Sequence, residues 1–130
     1  MLFNVLSSQK RVLVIDDDAS LQRQVSFHLE HKQDNITVLQ ALNGIEGIEQ
    51  AIQTQPDLII LDWMLPDING PEVLIRLKSN DQTKNIPVLM LSSRNNIGDI
   101  EDVFGLDADS YVTKPFSLQL LGEKVVGLLN

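Results

Sequence analysis

Short aliphatic runs recur along the chain, and apolar residues at helical spacing follow each run. Residues 12–15, 58–61 and 88–91 are each four consecutive apolar residues, the pattern of strands buried on both faces of a sheet. Residues 36–39 and 111–113 predict two shorter strands. The pattern therefore indicates five strands, at least three of them central.

Apolar residues repeated every three or four positions predict five helices, one after each strand. They are marked by Leu21, Val25 and Leu29 over about 19–31; Ile45, Ile48 and Ile52 before Pro56; Val73, Leu74 and Leu77 after Pro71; Ile97, Ile100 and Phe104; and Leu121, Val125 and Leu128 over about 117–129. Strands that alternate with helices form a parallel sheet covered on both faces. We expect a doubly wound α/β sheet, because a closed barrel would need eight strands and about 250 residues.

Polar residues that can support chemistry follow four of the five predicted strands. Asp16 and Asp17 follow the first strand, Asp62 the third, Ser92 the fourth and Lys114 the fifth. The carboxyl ends of parallel strands share one edge of the sheet, where ligands bind. Three carboxylates brought together would raise one another's pKa values, and a divalent cation relieves that repulsion. Oxygen ligands without His or Cys favour Mg²⁺, with Mn²⁺ as an alternative.

A metal, an ammonium and a hydroxyl around one carboxylate are suited to phosphoryl transfer, with Asp62 as the nucleophile. Each residue alone also has an ordinary structural explanation. Residues 16–18 could simply cap the first helix, with Asp18 the best capping candidate, and Lys114 could be a solvated surface charge. Their joint occurrence at successive strand ends favours a site.

The composition narrows the class of protein. The 130 residues suit one domain, and 43% hydrophobic with 22% charged residues is typical of soluble globular proteins. The net charge of −8 opposes direct binding to nucleic acid. The absence of cysteine suits the cytoplasm, and neither a membrane-spanning run nor a secretory signal is evident. We expect an N-terminal leader at 1–10 and a single domain at 11–129.

Four motifs resemble those of the receiver domain of two-component response regulators. They are VLVIDDD at 12–18, LDWMLPDING at 61–70, VLMLS at 88–92 and YVTKPF at 111–116. Each motif alone is weak, but all four occur in order and at receiver-like spacing. The resemblance covers nearly all of residues 11–129, and receivers attached to winged-helix transcription factors are the most similar type.

This resemblance implies a flavodoxin-like (βα)5 fold with a five-stranded parallel sheet of order 2-1-3-4-5. It implies that Asp62 accepts a phosphoryl group from a phosphohistidine on a sensor histidine kinase or a histidine phosphotransfer protein. Asp17, Asp62 and the backbone carbonyl of Met64 would bind Mg²⁺ directly, and Asp16 would hold it through water. Lys114 would contact the phosphoryl oxygens, with a cis peptide bond to the following proline.

The resemblance also implies a conformational switch. Ser92 would move toward the phosphoryl group, and Tyr111 would turn inward behind it. The face formed by the fourth helix, the fifth strand and the fifth helix would then change its affinity for an output domain, a partner or a second copy of the chain. A half-buried strand aromatic is the alternative explanation for Tyr111.

A few positions depart from the common receiver pattern or vary within it. Asp107 stands where many receivers have glycine, and Ser92 stands where many have threonine. Met64 and Arg94 occupy positions that tune the lifetime of the phosphoryl group, and the pair is similar to that of long-lived receivers.

Two other functional interpretations remain open at this stage. One is a receiver-like module that binds or dimerises without phosphorylation. The other is a phosphatase or phosphotransferase, but such enzymes usually place a second acid two residues after the nucleophile, where Met64 stands. We expect no metabolic activity, only Mg²⁺-dependent self-phosphorylation and slow autodephosphorylation.

Overall fold

The computed structural model describes residues 9–32 and 35–130. In these ranges five strands alternate with five helices. The strands are β1 (Lys10–Ile15), β2 (Ile36–Ala41), β3 (Leu58–Asp62), β4 (Val88–Ser92) and β5 (Ser110–Thr113). The helices are α1 (Ala19–Lys32), α2 (Gly44–Thr54), α3 (Gly70–Lys78), α4 (Ile97–Gly105) and α5 (Leu118–Leu129). All ten predicted elements are present, with their bounds shifted by a few residues at most.

The five strands form one parallel sheet of order β2-β1-β3-β4-β5. This order confirms the flavodoxin-like fold that the sequence resemblance implies. β3 lies at the centre of the sheet, and all five of its residues are buried. Its burial on both faces explains why 58–61 is a continuous aliphatic run rather than an alternating one.

Successive residues of the central strands point to opposite faces of the sheet and build two separate hydrophobic layers. Leu13, Ile59 and Leu61 belong to the layer that includes α2, α3 and α4 residues. Val14 and Ile60 belong to the layer that includes α1 and α5 residues. Helices therefore cover both faces, as the alternation of strands and helices predicts.

The buried face of α2 is formed mainly by small residues. The buried residues are Gly44, Gly47 and Ala51, whereas Ile45 is 40% exposed. A Cβ atom on Gly47 would lie 2.5 Å from Cδ1 of Ile15, so this helix approaches the sheet more closely than an isoleucine face allows. The isoleucine spacing identified the helix and part of the side that packs, since Ile48 lies against the core while Ile45 faces solvent.

The apolar residues of α4 also differ from a simple inward face. Val103 is the buried residue of this helix, while Ile97 is 73% and Phe104 44% exposed. Two of the three apolar residues that mark α4, Ile97 and Phe104, are therefore exposed.

α3 matches its prediction, since Val73, Leu74 and Leu77 are fully buried.

The first described strand overlaps the end of the predicted leader. The predicted leader spans 1–10; residues 1–8 lie outside the described residues, and β1 begins at Lys10. Among the helices within 9–32 and 35–130, none combines the length and apolar character needed to cross a bilayer.

The β3–α3 connection folds back tightly onto the end of β3. The backbone N–H of Gly70 donates a hydrogen bond of 2.7 Å to the carbonyl of Trp63. A Cβ atom at Gly70 would overlap the carbonyl oxygen of Asp62 and would lie 2.8 Å from Cα of Trp63. The atoms in the way are backbone atoms, so they cannot move aside as a flexible side chain could.

We therefore expect Gly70→Ala to lower the free energy of unfolding by about 1–3 kcal/mol, the usual range for overpacking. Gly127→Ala is the matched control, because a Cβ atom there meets no atom within 4 Å. In a helix interior this control should stabilise by about 0.5–1 kcal/mol. Urea unfolding of both variants tests the difference, and equal effects would contradict the close approach at Gly70.

Candidate functional site

The register of the sheet brings the predicted residues to one edge. Ile15 lies opposite Leu61, so Asp16 and Asp62, the next residues, are level with each other. Ser92 follows the residue opposite Asp62, and Lys114 follows the residue opposite Ser92. The carboxyl ends of β1, β3, β4 and β5 thus present all four side chains at the same edge.

Three of these side chains are carboxylates that lie close together. One carboxylate oxygen from each of Asp16, Asp17 and Asp62 lies within 4.8 Å of the others. Asp16 is only 1% exposed and Asp62 6% exposed, while Asp17 faces solvent. The cluster therefore combines two buried acids with one that solvent reaches.

Lys114 joins the two buried carboxylates. Its Nζ atom lies 3.2 Å from Oδ2 of Asp16 and 3.4 Å from Oδ1 of Asp62. One ammonium therefore faces two buried acids, which leaves the group negatively charged when all are ionised. The peptide bond from Lys114 to Pro115 is cis, as the resemblance implies.

Burial and neighbouring charges shift the pKa values of Asp16, Asp62 and Lys114. Burial raises the pKa of the Asp16 carboxyl, with a smaller contribution from the charge of Asp17, against hydrogen bonds from the Asp18 N–H and Lys114. Burial and then the charge of Asp16 raise the pKa of the Asp62 carboxyl. For Lys114, burial acts in the opposite direction, but the two carboxylates prevail and raise its pKa.

The donor set fits a hard divalent cation. Mg²⁺ prefers carboxylate and carbonyl oxygens and keeps several waters, so it binds through few protein ligands. The described residues offer three converging carboxylates, one of them open to solvent. A bound cation would also relieve the repulsion that raises the carboxyl pKa values. The acidic cluster is thus typical of the Mg²⁺ site of receiver domains.

The structure separates helix capping from the acid cluster. Oδ1 of Asp18 accepts hydrogen bonds from the N–H groups of Ser20 and Leu21, at 2.9 and 3.1 Å, and so caps α1. Asp16 instead accepts from the N–H of Asp18 and from Lys114. The alternative that residues 16–18 serve only as a cap therefore applies to Asp18 alone.

The two predicted switch residues meet at the β4–α4 loop rather than at the carboxylates. Oγ of Ser92, which is 1% exposed, accepts a hydrogen bond of 3.0 Å from the N–H of Arg94. The hydroxyl of half-buried Tyr111 donates one of 2.6 Å to the carbonyl of Arg94. Arg94 thus links the two residues through its own backbone.

The side chains next to Asp62 have contrasting surroundings. Met64 is 61% exposed, and its backbone N–H helps to lower the pKa of Asp62 against the effect of burial. Trp63 is 8% exposed, and the Arg94 guanidinium carbon lies 5.0 Å from the centre of its ring. This distance is within the range of cation–π contacts, so Arg94 packs against Trp63, the residue that follows Asp62.

Sequence reasoning missed two residues that support the site. The carboxylate of Asp67 accepts hydrogen bonds of 2.8 Å from the N–H groups of Gly44 and Ile45, at the start of α2. Desolvation opposes ionisation, but these hydrogen bonds prevail and lower the pKa of Asp67 to about 2. Gln22, buried beneath the first helical turn, is the second. Neither role has a signature in the spacing of the sequence.

The fold and the site together define a class of protein. The sheet is flavodoxin-like. At the carboxyl ends of its strands lie a cluster of three carboxylates that could hold a cation, a lysine in contact with two of them, and the buried hydroxyl of Ser92. This is the arrangement that the resemblance to receiver domains implies.

Comparison with known proteins agrees with this class. The sequence profile of the response regulator receiver domain family matches residues 12–126. The chain is similar to the DNA-binding dual master transcriptional regulator RpaA of Synechocystis sp., at 44% identity over 92% of this chain and 49% of that protein. It is 38% identical to the phosphate regulon transcriptional regulatory protein PhoB of Escherichia coli, over 93% of this chain and 52% of that protein.

A solved structure agrees as well. The receiver domain of the Francisella response regulator 1452 has a TM-score of 0.85 and 29% identity, over 93% of this chain and 97% of that one. The chain belongs to the response regulator receiver domain family. It spans about half the length of the curated relatives named above. The predicted resemblance, to a receiver of the kind found in transcription regulators, is confirmed.

The raised pKa of Asp62 leads to a prediction about stability. A carboxyl whose pKa is higher in the folded than in the unfolded chain contributes stability below the unfolded pKa, and that contribution is lost as pH rises through the folded pKa. At neutral pH and without divalent cations, we expect Asp62→Asn to raise the free energy of unfolding, because the amide removes a buried negative charge beside Asp16.

Urea unfolding in a chelating buffer tests this expectation, with exposed Asp102→Asn as the control outside the site. The difference between Asp62→Asn and the native chain should narrow as pH falls toward the range in which free carboxyls titrate. A destabilising effect of Asp62→Asn at neutral pH would contradict the expectation, because it would show that the ionised Asp62 stabilises the fold despite its burial beside Asp16.

Proposed function

We propose that the chain is the phosphorylation switch of a two-component system, with Asp62 as the phosphoacceptor. The observation that carries this proposal is the position of Asp62, a buried carboxylate that lies level with Asp16 and in contact with Lys114. A phosphoryl donor can approach Asp62 only from the carboxyl edge of the sheet, because the rest of β3 is fully buried.

The residues of the site divide the work of phosphoryl transfer. An oxygen of Asp62 attacks the phosphorus of a phosphohistidine, the new O–P bond forms as the N–P bond breaks, and the leaving imidazole takes up a proton. Lys114 holds a positive charge 3.4 Å from that carboxylate, where it can contact phosphoryl oxygens. Ser92, from the neighbouring strand end, can donate its hydroxyl hydrogen, because its Oγ only accepts a hydrogen bond within residues 9–32 and 35–130.

Asp16, Asp17 and Asp62 would hold Mg²⁺, with Mn²⁺ as an alternative, and the carbonyl of Met64 would complete the protein ligands. When bound, the cation neutralises charge on the transferring phosphoryl group. The chain's own residues supply the rest: Asp62 provides the nucleophile, Lys114 the fixed positive charge and Ser92 the hydrogen bond.

The partners follow from the same reaction. The phosphoryl donor would be a sensor histidine kinase or a histidine phosphotransfer protein, and the site would act in the cytoplasm. The names of the relatives support an output in transcription regulation through a domain other than this one. The net charge of −8 argues against direct contact with nucleic acid.

The surface that would transmit the signal is the face of α4, β5 and α5. Both of its helices carry exposed apolar side chains, among them Ile97 on α4 and Leu120 on α5. Tyr111 on β5 contacts the β4–α4 loop directly through its hydroxyl. This face would pair with an output domain or with a second copy of the chain.

Incubation with acetyl phosphate and Mg²⁺ tests the phosphoacceptor directly. We expect intact mass spectrometry to show one added phosphoryl group on the native chain and none after Asp62→Asn. Asp81→Asn is the matched control, because Asp81 is an exposed aspartate outside the site and its loss should leave the adduct unchanged.

Two outcomes would contradict the proposal. No adduct on the native chain would favour the alternative, a receiver-like module that binds or dimerises without phosphorylation. An adduct that survives Asp62→Asn would place the acceptor at another residue.

The contact between Arg94 and Trp63, the residue after Asp62, leads to a prediction about phosphoryl lifetime. We expect a half-life of minutes or longer for the native chain, because an Arg94 side chain held beside this loop would restrict the approach of water to the acyl phosphate. Arg94→Met should shorten the half-life severalfold, whereas Arg76→Met, which removes an exposed ion pair with Glu72, should not. Decay of the adduct after removal of donor measures both, and a native half-life of seconds would contradict the expectation.

A further inference from the structure

Gln22 is a buried polar residue that the proposed reaction does not use. It is the fourth residue of α1, it is 1% exposed, and no other residue of that helix is both polar and buried. It lies one helical turn after the acidic residues 16–18.

The side-chain amide of Gln22 contacts three backbone carbonyls at the ends of two strands. Its Nε2 atom lies 2.9 Å from the carbonyl oxygen of Val14 and 3.1 Å from those of Asp16 and Ala41, so its two hydrogens are shared among three acceptors. The same Ala41 carbonyl accepts a hydrogen bond of 3.0 Å from the N–H of Asp16. The amide therefore joins the ends of β1 and β2 at the residue where the acid cluster begins.

The backbone of Gln22 closes the other side of the same turn. Its N–H donates a hydrogen bond of 3.0 Å to the carbonyl of Asp18. The N–H of Asp18 in turn donates to Oδ1 of Asp16. One residue thus holds both ends of the segment that presents Asp16 and Asp17.

The amide oxygen of Gln22 behaves differently from the amide nitrogen. Within the described residues, Oε1 is buried and has no hydrogen-bond partner. An unpaired buried acceptor is unfavourable, and it offsets part of the stability that the hydrogen bonds of the amide nitrogen contribute. The three carbonyl contacts of the nitrogen are the feature that this residue adds.

We infer that Gln22 is a positioning residue for the cation site, and that it acts by fixing the backbone of Asp16 and Asp17 through the ends of β1 and β2. Residues that orient metal ligands commonly alter affinity by one to two orders of magnitude when they are lost. Gln22 acts on the ligands' backbone, so the lower end of that range applies. The inference rests on the proposed function for the identity of the cation, Mg²⁺.

The test compares Mg²⁺ binding with fold stability in the full chain. Gln22→Met keeps the length of the side chain and removes the amide. Thr83→Val is the matched control, because Thr83 is also 1% exposed and its hydroxyl donates to a backbone carbonyl, that of Leu77, away from the site. Mg²⁺ affinity is measured by calorimetry, and stability by urea unfolding.

We expect both variants to lose stability and only Gln22→Met to bind Mg²⁺ more weakly, by about tenfold. Native-like Mg²⁺ affinity of Gln22→Met, or an equal loss of affinity in Thr83→Val, would overturn the inference. If Gln22→Met does not fold, Gln22→Asn serves the same purpose, because the shorter amide cannot reach all three carbonyls. Weaker Mg²⁺ binding by folded Gln22→Asn supports the inference, and unchanged binding overturns it.

These results are separable from those for the proposed function, because Mg²⁺ binding is measured without phosphorylation. A native chain that binds Mg²⁺ but takes no phosphoryl group from acetyl phosphate would overturn the proposed function alone. If the native chain is phosphorylated and Gln22→Met binds Mg²⁺ with native affinity, this inference alone is overturned.

Discussion

The contact of Lys114 with two buried carboxylates is the interaction on which the site depends. Asp16 and Asp62 lie at the ends of neighbouring strands and repel each other when both are ionised. Lys114 reaches both, although it lies 98 residues beyond Asp16 along the chain. Only a sheet with β1, β3, β4 and β5 in register can bring these charges together. One ammonium cannot neutralise two buried acids and Asp17, and this imbalance is what prepares the site for a cation.

The same charges require the backbone around them to be held in place. Gly70 lies against the carbonyl of Asp62, so the β3–α3 loop returns to the strand end without an intervening side chain. Asp67 fixes that loop to the N-terminus of α2, and its low pKa keeps the contact in place throughout the physiological range. Gln22 does the corresponding work beneath Asp16. Gly70, Asp67 and Gln22, which take no part in the proposed reaction, thus limit where the charges of the site can lie.

The sequence predicted the strands, the helices and the convergence of the acids, because these depend on periodicity and on the common edge of a parallel sheet. Asp62 was identifiable as a carboxylate at the end of a fully apolar strand. The packing face of α2 was not, because Gly44 and Gly47 are buried through the lack of a side chain rather than through hydrophobicity. Gln22 and Asp67 were missed for a related reason. Their partners are backbone groups, and no residue spacing records such contacts.

The β4–α4 loop offers a physical route from the site to the surface that we propose as the output. Ser92 accepts a hydrogen bond from the N–H of Arg94, and Tyr111 donates one to the carbonyl of the same residue. A movement of Ser92 toward Asp62 would break or reorient the first bond and so displace the backbone of Arg94. That displacement removes the acceptor that holds the Tyr111 hydroxyl at the α4–β5 surface. Because one residue carries both contacts, a movement of Ser92 could reach Tyr111 through the backbone of Arg94.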